Sequence, residues 1–342
     1  MKTGKLTNEQ LSELVLSKLP PLSSTTLVGA DIGADCAWMN LGDKIMVTSS
    51  DPITAGGMKS GVLTIHVSCN DIAACGVRPS GILIVIIAPP SASEDDIKLI
   101  VDQASSEASK LGVDIVGGHT EVSESVITFV VTSTAFGIID KDHPVPKGKV
   151  TPGDKLILTK TCGIEGSYIA ATEHRAKLEG RVDEKFIEEA SSYDSLISVV
   201  REGEVAGAIR SSGGIKNSYG FYTGAVSQMH DVTEGGVFGA AYEMACFSKT
   251  GIRLFKKNVP MTDATRSICT ALDIDPYRLI SSGSLLIATS EETRVIEELE
   301  KAGVRASLIG EFTDESMGYK LIEEDGSEAE LPPPGTDEIY RI

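Results

Sequence analysis

Residues 65–87, "IHVSCNDIAACGVRPSGILIVII", govern the reading of the chain, because a helix and a strand follow one another there and a polar pair interrupts the apolar run. Ile65, Cys69, Ile72 and Ala73 recur at helical spacing, Gly76 fits the position just past a helix end, and Pro79 forbids continuation. Ile82 to Ile87 is an unbroken, β-branched run of strand length, as in a strand covered on both faces. Asn70 and Asp71 do not suit such surroundings. A buried carboxylate is costly unless a cation, hydrogen-bond donors or a proton meets it. Either the pair lies on a wetter side of the helix, or Asp71 has a partner brought from elsewhere.

Outward from that stretch, strands and helices alternate in both directions. "TNEQLSELVLSKLPP" reads as a short amphipathic helix, and "KIMVTSSDPI" as a strand ending near Asp51. Ser91 and Glu94 stand at capping-box spacing ahead of a long amphipathic helix that Gly112 closes. "VDIVGGHTEV" and "SVITFVVTSTAFGII" read as strands. Pro, Gly and charge concentrate over 140–153, which places a domain boundary there: 1–145 and 146–342. The second half repeats the alternation, so the fold class is α/β or α+β in two domains. From Glu311 on, the chain turns acidic and proline-rich, and no regular structure is expected of that tail.

Composition narrows the function. The chain has 342 residues and a formal net charge of -18, which argues against a nucleic-acid or anionic-membrane partner. Its longest apolar run is far below the ~20 residues of a membrane span. The six cysteines lack metal-ligand spacing and no signal peptide opens the chain, so they read as reduced thiols of a cytoplasmic protein. Neither GxxxxGK[ST] nor a strand-linked GxGxxG occurs. What remains is a set of acidic residues at turns and element ends: Asp31, Asp35, Asp51, Asp71, Glu121 and Asp231. Each alone is an ordinary turn former. Together, such carboxylates could hold Mg²⁺ against a triphosphate whose oxygens meet glycine-exposed N–H groups.

The ordered segments "IGADCAWM", "TSSDPITAGG", "VSCNDIAACGVRP", "GGHTEV" and "MHDVTEGGVFGA" resemble those of the aminoimidazole ribonucleotide (AIR) synthetase superfamily. That group includes thiamine-monophosphate kinases, selenophosphate synthetases and the carbamoyl dehydratases of hydrogenase maturation, and the likeness is greatest to hydrogenase-maturation-factor-like members. The resemblance implies an N-terminal domain that pairs across a homodimer into a β-barrel, a C-terminal α/β domain, and Mg-ATP in a cleft between them. It implies transfer of phosphate from ATP to an oxygen of an amide or carbamoyl-type substrate, free or borne by a maturation partner. The other readings are a maturation or scaffold protein that binds nucleotide without turnover, and a small-molecule kinase.

Carried over motif by motif, Asp35, Asp51, Asp71 and Glu121 are the implied metal ligands. Asp35, Asp51, Asn70, Gly117, Gly118, Thr120, Gly163 and Gly166 are implied to contact nucleotide, and Asp71, His119, Asp231 and Glu234 to serve catalysis. The sequence departs from its relatives at Ala34-Asp35, where the kinases carry two aspartates, and at His119, where several relatives carry an acid. A third departure is the ending "EIYRI", where the carbamoyl dehydratases carry a cysteine. Cys162, in the loop "TCGIEG", is the one candidate for a substitute carrier, and Thr336 to Ile342 is expected to be loosely held.

Overall fold

The computed structural model describes residues 6–32, 34–54, 59–214, 216 and 220–342. Residues 55–57 of "TSSDPITAGG" and Gly33 of "IGADCAWM" lie outside these. The first half runs α1 (Asn8–Leu14), β1 (Thr26–Val28), β2 (Ala37–Asn40), β3 (Lys44–Ile53), α2 (Ser60–Ala74), β4 (Gly81–Ala88), α3 (Glu94–Leu111), β5 (Asp114–Val122) and β6 (Val130–Asp140). Its sheet has the order β1-β2-β3-β6-β4-β5, with only β4 and β5 parallel.

The second half contributes β7 (Lys155–Thr159), α4 (Ile164–Glu173), α5 (Glu184–Ser191), α6 (Val200–Gly207), β8 (Val226–Asp231), α7 (Gly236–Ser248), β9 (Gly251–Phe255) and α8 (Asp263–Leu272). It continues with β10 (Leu285–Thr289), α9 (Glu292–Lys301), β11 (Ala306–Thr313), β12 (Tyr319–Ile322) and β13 (Glu328–Glu330). This seven-stranded sheet has the order β13-β12-β9-β11-β7-β10-β8 and is antiparallel except at β9 and β12. No helix among the described residues is long and apolar enough to cross a membrane.

The opening stretch forms α2, which is buried nearly all round because both halves pack on it. Sheet strands β3 and β6 lie on one side, and α6 and β8 on the other. Glycine makes the second approach possible: a Cβ on Gly203 would stand 2.1 Å from the Ala73 carbonyl oxygen. One continuous core joins the halves, running from Ile45, Ile65 and Ile72 to Ile157, Leu285 and Ile287. At the seam, Lys160 is largely buried, pairs with Glu202 at 2.6 Å and donates to the carbonyls of Leu196, Ser198 and Gly283.

Three expectations are corrected. The long helix is capped by Ser93 with Asp96, two residues later than the Ser91–Glu94 reading, because Pro89-Pro90 hold the chain in a turn through residue 91. β4 is covered on one face only, where Ile82 joins the main core and Ile86 packs on Ile100 of α3: Leu83 stays 40 % exposed, and β5 beyond it is exposed along its whole length. Its apolar run therefore does not report cover on both faces. The tail is not loose. It adds β12 and β13 to the sheet and ends in a 3₁₀ turn at Glu338–Arg341, where Asp337 is buried and accepts from the N–H groups of Gly235 (2.6 Å), Ile280 (3.2 Å) and Ile339 (2.8 Å).

Candidate functional site

β3 alternates, so Ser49 and Asp51 fall on the same face, turned toward α2. Ser49 Oγ donates to Asp71 Oδ2 at 2.7 Å and lies 3.0 Å from the Asp35 carbonyl oxygen, which ties the 31–36 loop, β3 and α2 together. The carboxylates of Asp231, at the end of β8, and of Asp51 both act on the Asp71 carboxyl. Asp71 thus faces two carboxylates and one hydroxyl. Burial, then Asp231, then Asp51 push its carboxyl well above the usual range, and the Ser49 bond opposes them.

The counter-charge is His230, which precedes Asp231 in β8. Its Nδ1 is 3.9 Å from Asp35 Oδ2 and 3.8 Å from Asp231 Oδ1, and its Nε2 is 3.2 Å from Glu243 Oε2 on α7. Burial works against charge on this ring, but Asp231, Glu243 and Asp35 outweigh it and hold the imidazolium well above its ordinary range. The fold therefore brings together four expected residues, Asp35, Asp51, Asp71 and Asp231. Ser49, His230 and Glu243 were not foreseen. The signals for the first two were present: Ser49 stands two residues before Asp51 on one strand face, and His230 adjoins Asp231 in "MHD".

Several expected residues lie elsewhere. Asn70 is buried and spends its amide on the second half, donating to Ile197 O and accepting from Val199 N, both at 2.9 Å. Adjacent helix positions diverge by about 100°, so Asn70 clamps the halves while Asp71 faces β3. The α4 N-terminus offers less to an anion than expected. Gly166 N–H is spent on Ile280 O at 3.0 Å and Ile164 N–H on Ser281 Oγ at 3.2 Å. The bare α-carbon of Gly166 admits Leu279, whose Cγ would stand 2.2 Å from a Cβ there, and Gly163 is the left-handed cap of α4. Cys162 is fully buried, which pushes its thiol up to about 12 and removes it as a carrier.

His119, Thr120 and Glu121, with Gly117 and Gly118, lie on β5, where His119 Nε2 is 3.2 Å from Glu121 Oε2. β6 and β4 separate β5 from the strand that bears Asp51, a distance of roughly 14 Å at about 4.8 Å per strand. Within one chain Glu121 cannot share a metal ion with Asp51, which corrects the expected ligand set. Gly118 serves its neighbour: a Cβ would stand 1.8 Å from the Ile84 carbonyl oxygen. Glu234 belongs to another group, accepting from Tyr340 OH at 2.9 Å.

Hard oxygen donors with excess negative charge fit a cation such as Mg²⁺. The described residues do not, however, form a ready group of three or more His, Cys, Asp or Glu arranged to hold a metal. That combination fits an ion held by one or two carboxylates with phosphate oxygens completing its shell better than an all-protein cage.

The chain belongs to the AIR synthase related protein family, matching its N-terminal domain over residues 33–139 and its C-terminal domain over 151–321. It is 27% identical over 324 residues to a putative hydrogenase expression/formation protein of Methanocaldococcus jannaschii, covering 92% of this chain and 90% of that one. With carbamoyl dehydratase HypE of Escherichia coli it shares 25% identity over 298 residues, 85% of this chain and 81% of that one. Among solved structures, HypE in complex with ATP superposes with a TM-score of 0.67 at 18% identity, covering 98% and 97% of the two chains. HypE from a HypE–HypF complex gives 0.70 at 19%, covering 89% and 94%. AaThiL complexed with AMPPCP and TMP gives 0.69 at 16%, covering 97% and 98%. The two-domain AIR synthase-like fold is thereby shown.

Proposed function

We propose that this chain is a Mg-ATP-dependent enzyme of the hydrogenase-maturation branch of its family, transferring phosphate from ATP to an oxygen of an amide or carbamoyl-type substrate. The observation that carries the reading is the convergence of Asp35, Asp51 and Asp71 from one half with Asp231 from the other. His230 brings a positive charge to that point, 3.9 Å from Asp35 and 3.8 Å from Asp231. The relatives named for carbamoyl dehydration and the superposable HypE–ATP complex support the nucleotide. The HypE–HypF complex supports a maturation-protein partner.

One or two of Asp35, Asp51, Asp71 and Asp231 would hold Mg²⁺ with ATP, phosphate oxygens completing its shell. When bound, the ion would offset the charge that grows on the leaving diphosphate. The chain's own groups do the positioning. Ser49 fixes the rotamer of Asp71, the His230 imidazolium draws phosphate into an otherwise acidic cleft, and the Asn70 clamp holds α2 against the second half so that Asp71 and Asp231 keep their separation. Glu234, in the turn that follows β8, would accept a proton from substrate once Tyr340 OH, which now donates to it, gives way.

A homodimer belongs to the same reading. β5 is an unpaired edge whose flank exposes Ile115, Val116, Val122 and Leu83, an apolar surface that a second copy would cover. Its residues His119 to Glu121 would then face the partner. The test is calorimetry with ATP in the presence and absence of Mg²⁺, followed by phosphate release with carbamoyl phosphate and carbamoylated thiols as substrates. Metal-dependent binding with stimulated release is the expected result. Binding without turnover on any carbamoyl substrate would favour the scaffold reading, and no binding would remove both.

A further inference from the structure

Asp71 and Asp231 come from different halves of the chain, yet one run of hydrogen bonds joins their neighbours, with Lys160 at its centre. At one end, Asn70, next to Asp71 on α2, donates from Nδ2 to Ile197 O and accepts from Val199 N–H, both at 2.9 Å. Lys160, just past β7, donates from Nζ to Leu196 O at 3.0 Å, Ser198 O at 2.6 Å and Gly283 O at 2.7 Å. Residues 196–199 are thus gripped alternately from α2 and from the end of β7. Beyond Gly283 the run continues: Ser284 O accepts from Val232 N–H at 3.0 Å, and Leu285 lies opposite Asp231 in the β8–β10 register.

The local backbone is strained in favour of this arrangement. Lys160 adopts a φ of 54°, in the left-handed region that residues with side chains rarely enter. Gly283 has a φ of 108°, and a Cβ there would stand 2.4 Å from Leu196 O, so only glycine lets one ammonium reach both carbonyls. Glu202 of α6, 1 % exposed, lies 2.6 Å from Lys160 Nζ and meets its charge. An apolar pair could fill the same seam at no loss of stability. What the ammonium adds is direction, because its N–H groups fix two loops and α6 at one point.

We propose that Lys160 is a positioning residue for the acidic cleft: by fixing the 196–199 loop against Gly283 it sets the separation of Asp71 from Asp231, and so whether metal-bound nucleotide can meet a carboxylate from each half. The proposal rests on the reading of those carboxylates as the Mg-ATP site. Lys160 acts on neither directly, since Glu202 and three carbonyls already surround its Nζ. Its influence passes through Asn70 at one end and through Ser284 and Val232 at the other. Loosening it leaves each carboxylate in place within its own half and changes the distance between them. Binding that needs the metal is then lost ahead of binding that does not.

The test uses the full chain carrying Lys160→Met together with Glu202→Gln, which removes both charges at once and strands neither. Amide hydrogen exchange without nucleotide reads the geometry: Val199 and Val232 should lose protection together, by about tenfold, with β9 and β11 unchanged. Calorimetry reads the consequence. ATP affinity with Mg²⁺ should fall about tenfold while affinity without Mg²⁺ stays within about twofold, a split that a general loss of stability does not produce. Lys160→Arg keeps the charge opposite Glu202 but spreads it over a planar fork; it should show the same split to a smaller degree, and it decides the matter if the paired variant does not fold. Protection lost at Val199 but kept at Val232 would overturn the proposal, as would loss at both with Mg-ATP affinity unchanged. A wild-type chain that binds no Mg-ATP would remove the site reading and the positioning role with it, while the exchange result would still show whether Lys160 joins the two segments.

Discussion

Carboxylates gather beside glycine turns at two places in this chain, and the surroundings treat them differently. Around α2, Asp71 meets the Ser49 hydroxyl but also the carboxylates of Asp51 and Asp231, and with burial these hold its carboxyl well above the usual range. Around α4 and the tail, Asp337 is met by three backbone N–H groups and Glu234 by a phenol. The first group needs a cation to be content, while the second is built to hold the chain end in place. Residue type does not separate them. The number of donors reaching each oxygen does, which is why function is read here from what remains unsatisfied.

The sharpest way to break the contrast is Asp71→Asn. It keeps shape and the Ser49 partner but removes the charge, so Mg-ATP affinity should fall about 10²-fold and any turnover by roughly 10²- to 10³-fold. The protein without nucleotide should melt no lower than wild type. Asp71 is held above its ordinary range, so at neutral pH its ionised form opposes folding, and Asn relieves repulsion from Asp231 and Asp51. Calorimetry and a thermal melt on the same sample decide the matter. Unchanged affinity would remove Asp71 from the site, and a large loss of stability would make it structural.

Asp337→Ala makes the opposite cut. It strands the N–H groups of Gly235 and Ile280, each worth about 1–3 kcal/mol when buried without a partner. The chain can escape part of this cost by releasing the tail, so the loss is capped at the free energy of docking. A destabilisation of about 1–3 kcal/mol in denaturant unfolding at pH 6, with Mg-ATP affinity within twofold of wild type, is the expected result. A fall in affinity as large as that of Asp71→Asn would show that the two acidic groups form one site.

Much of this was legible before the fold was known, for reasons that also mark where legibility ends. Helical spacing across 65–76 located α2, and alternation in "VTSSD" put Ser49 and Asp51 on one face. The convergence of Asp231 needed the topology, since β8 reaches α2 only through the packing of the second half. Asn70 and Asp71 are neighbours in sequence with different partners, because the helix turns between them and each half takes one side. The tail failed for another reason. Its hold depends on backbone N–H groups and two isolated isoleucines, neither of which leaves a periodic signal, so low hydrophobicity was read as looseness. β4 shows the converse: an apolar run does not say whether both faces are covered within the chain.

The smallest effect belongs to Cys162, which tests how tightly the second region is closed. Its glycine-rich loop looks like a place where a thiol could swing into a cleft. The structure spends those glycines on packing: Gly166 against Leu279, and Gly163 as the cap of α4, with Cys162 N–H held by Pro260 O at 3.0 Å. Burial pushes the thiol up to about 12, so at pH 7 it stays protonated, and the same burial shields it from reagent. Under native conditions iodoacetamide should therefore alkylate Cys246, which is exposed, while Cys162 stays unmodified; both should react once guanidinium unfolds the chain. Peptide mass mapping reads the result directly. Native labelling of Cys162 would mean that the first turn of α4 opens, and the second acidic group would then be as unfinished as the first.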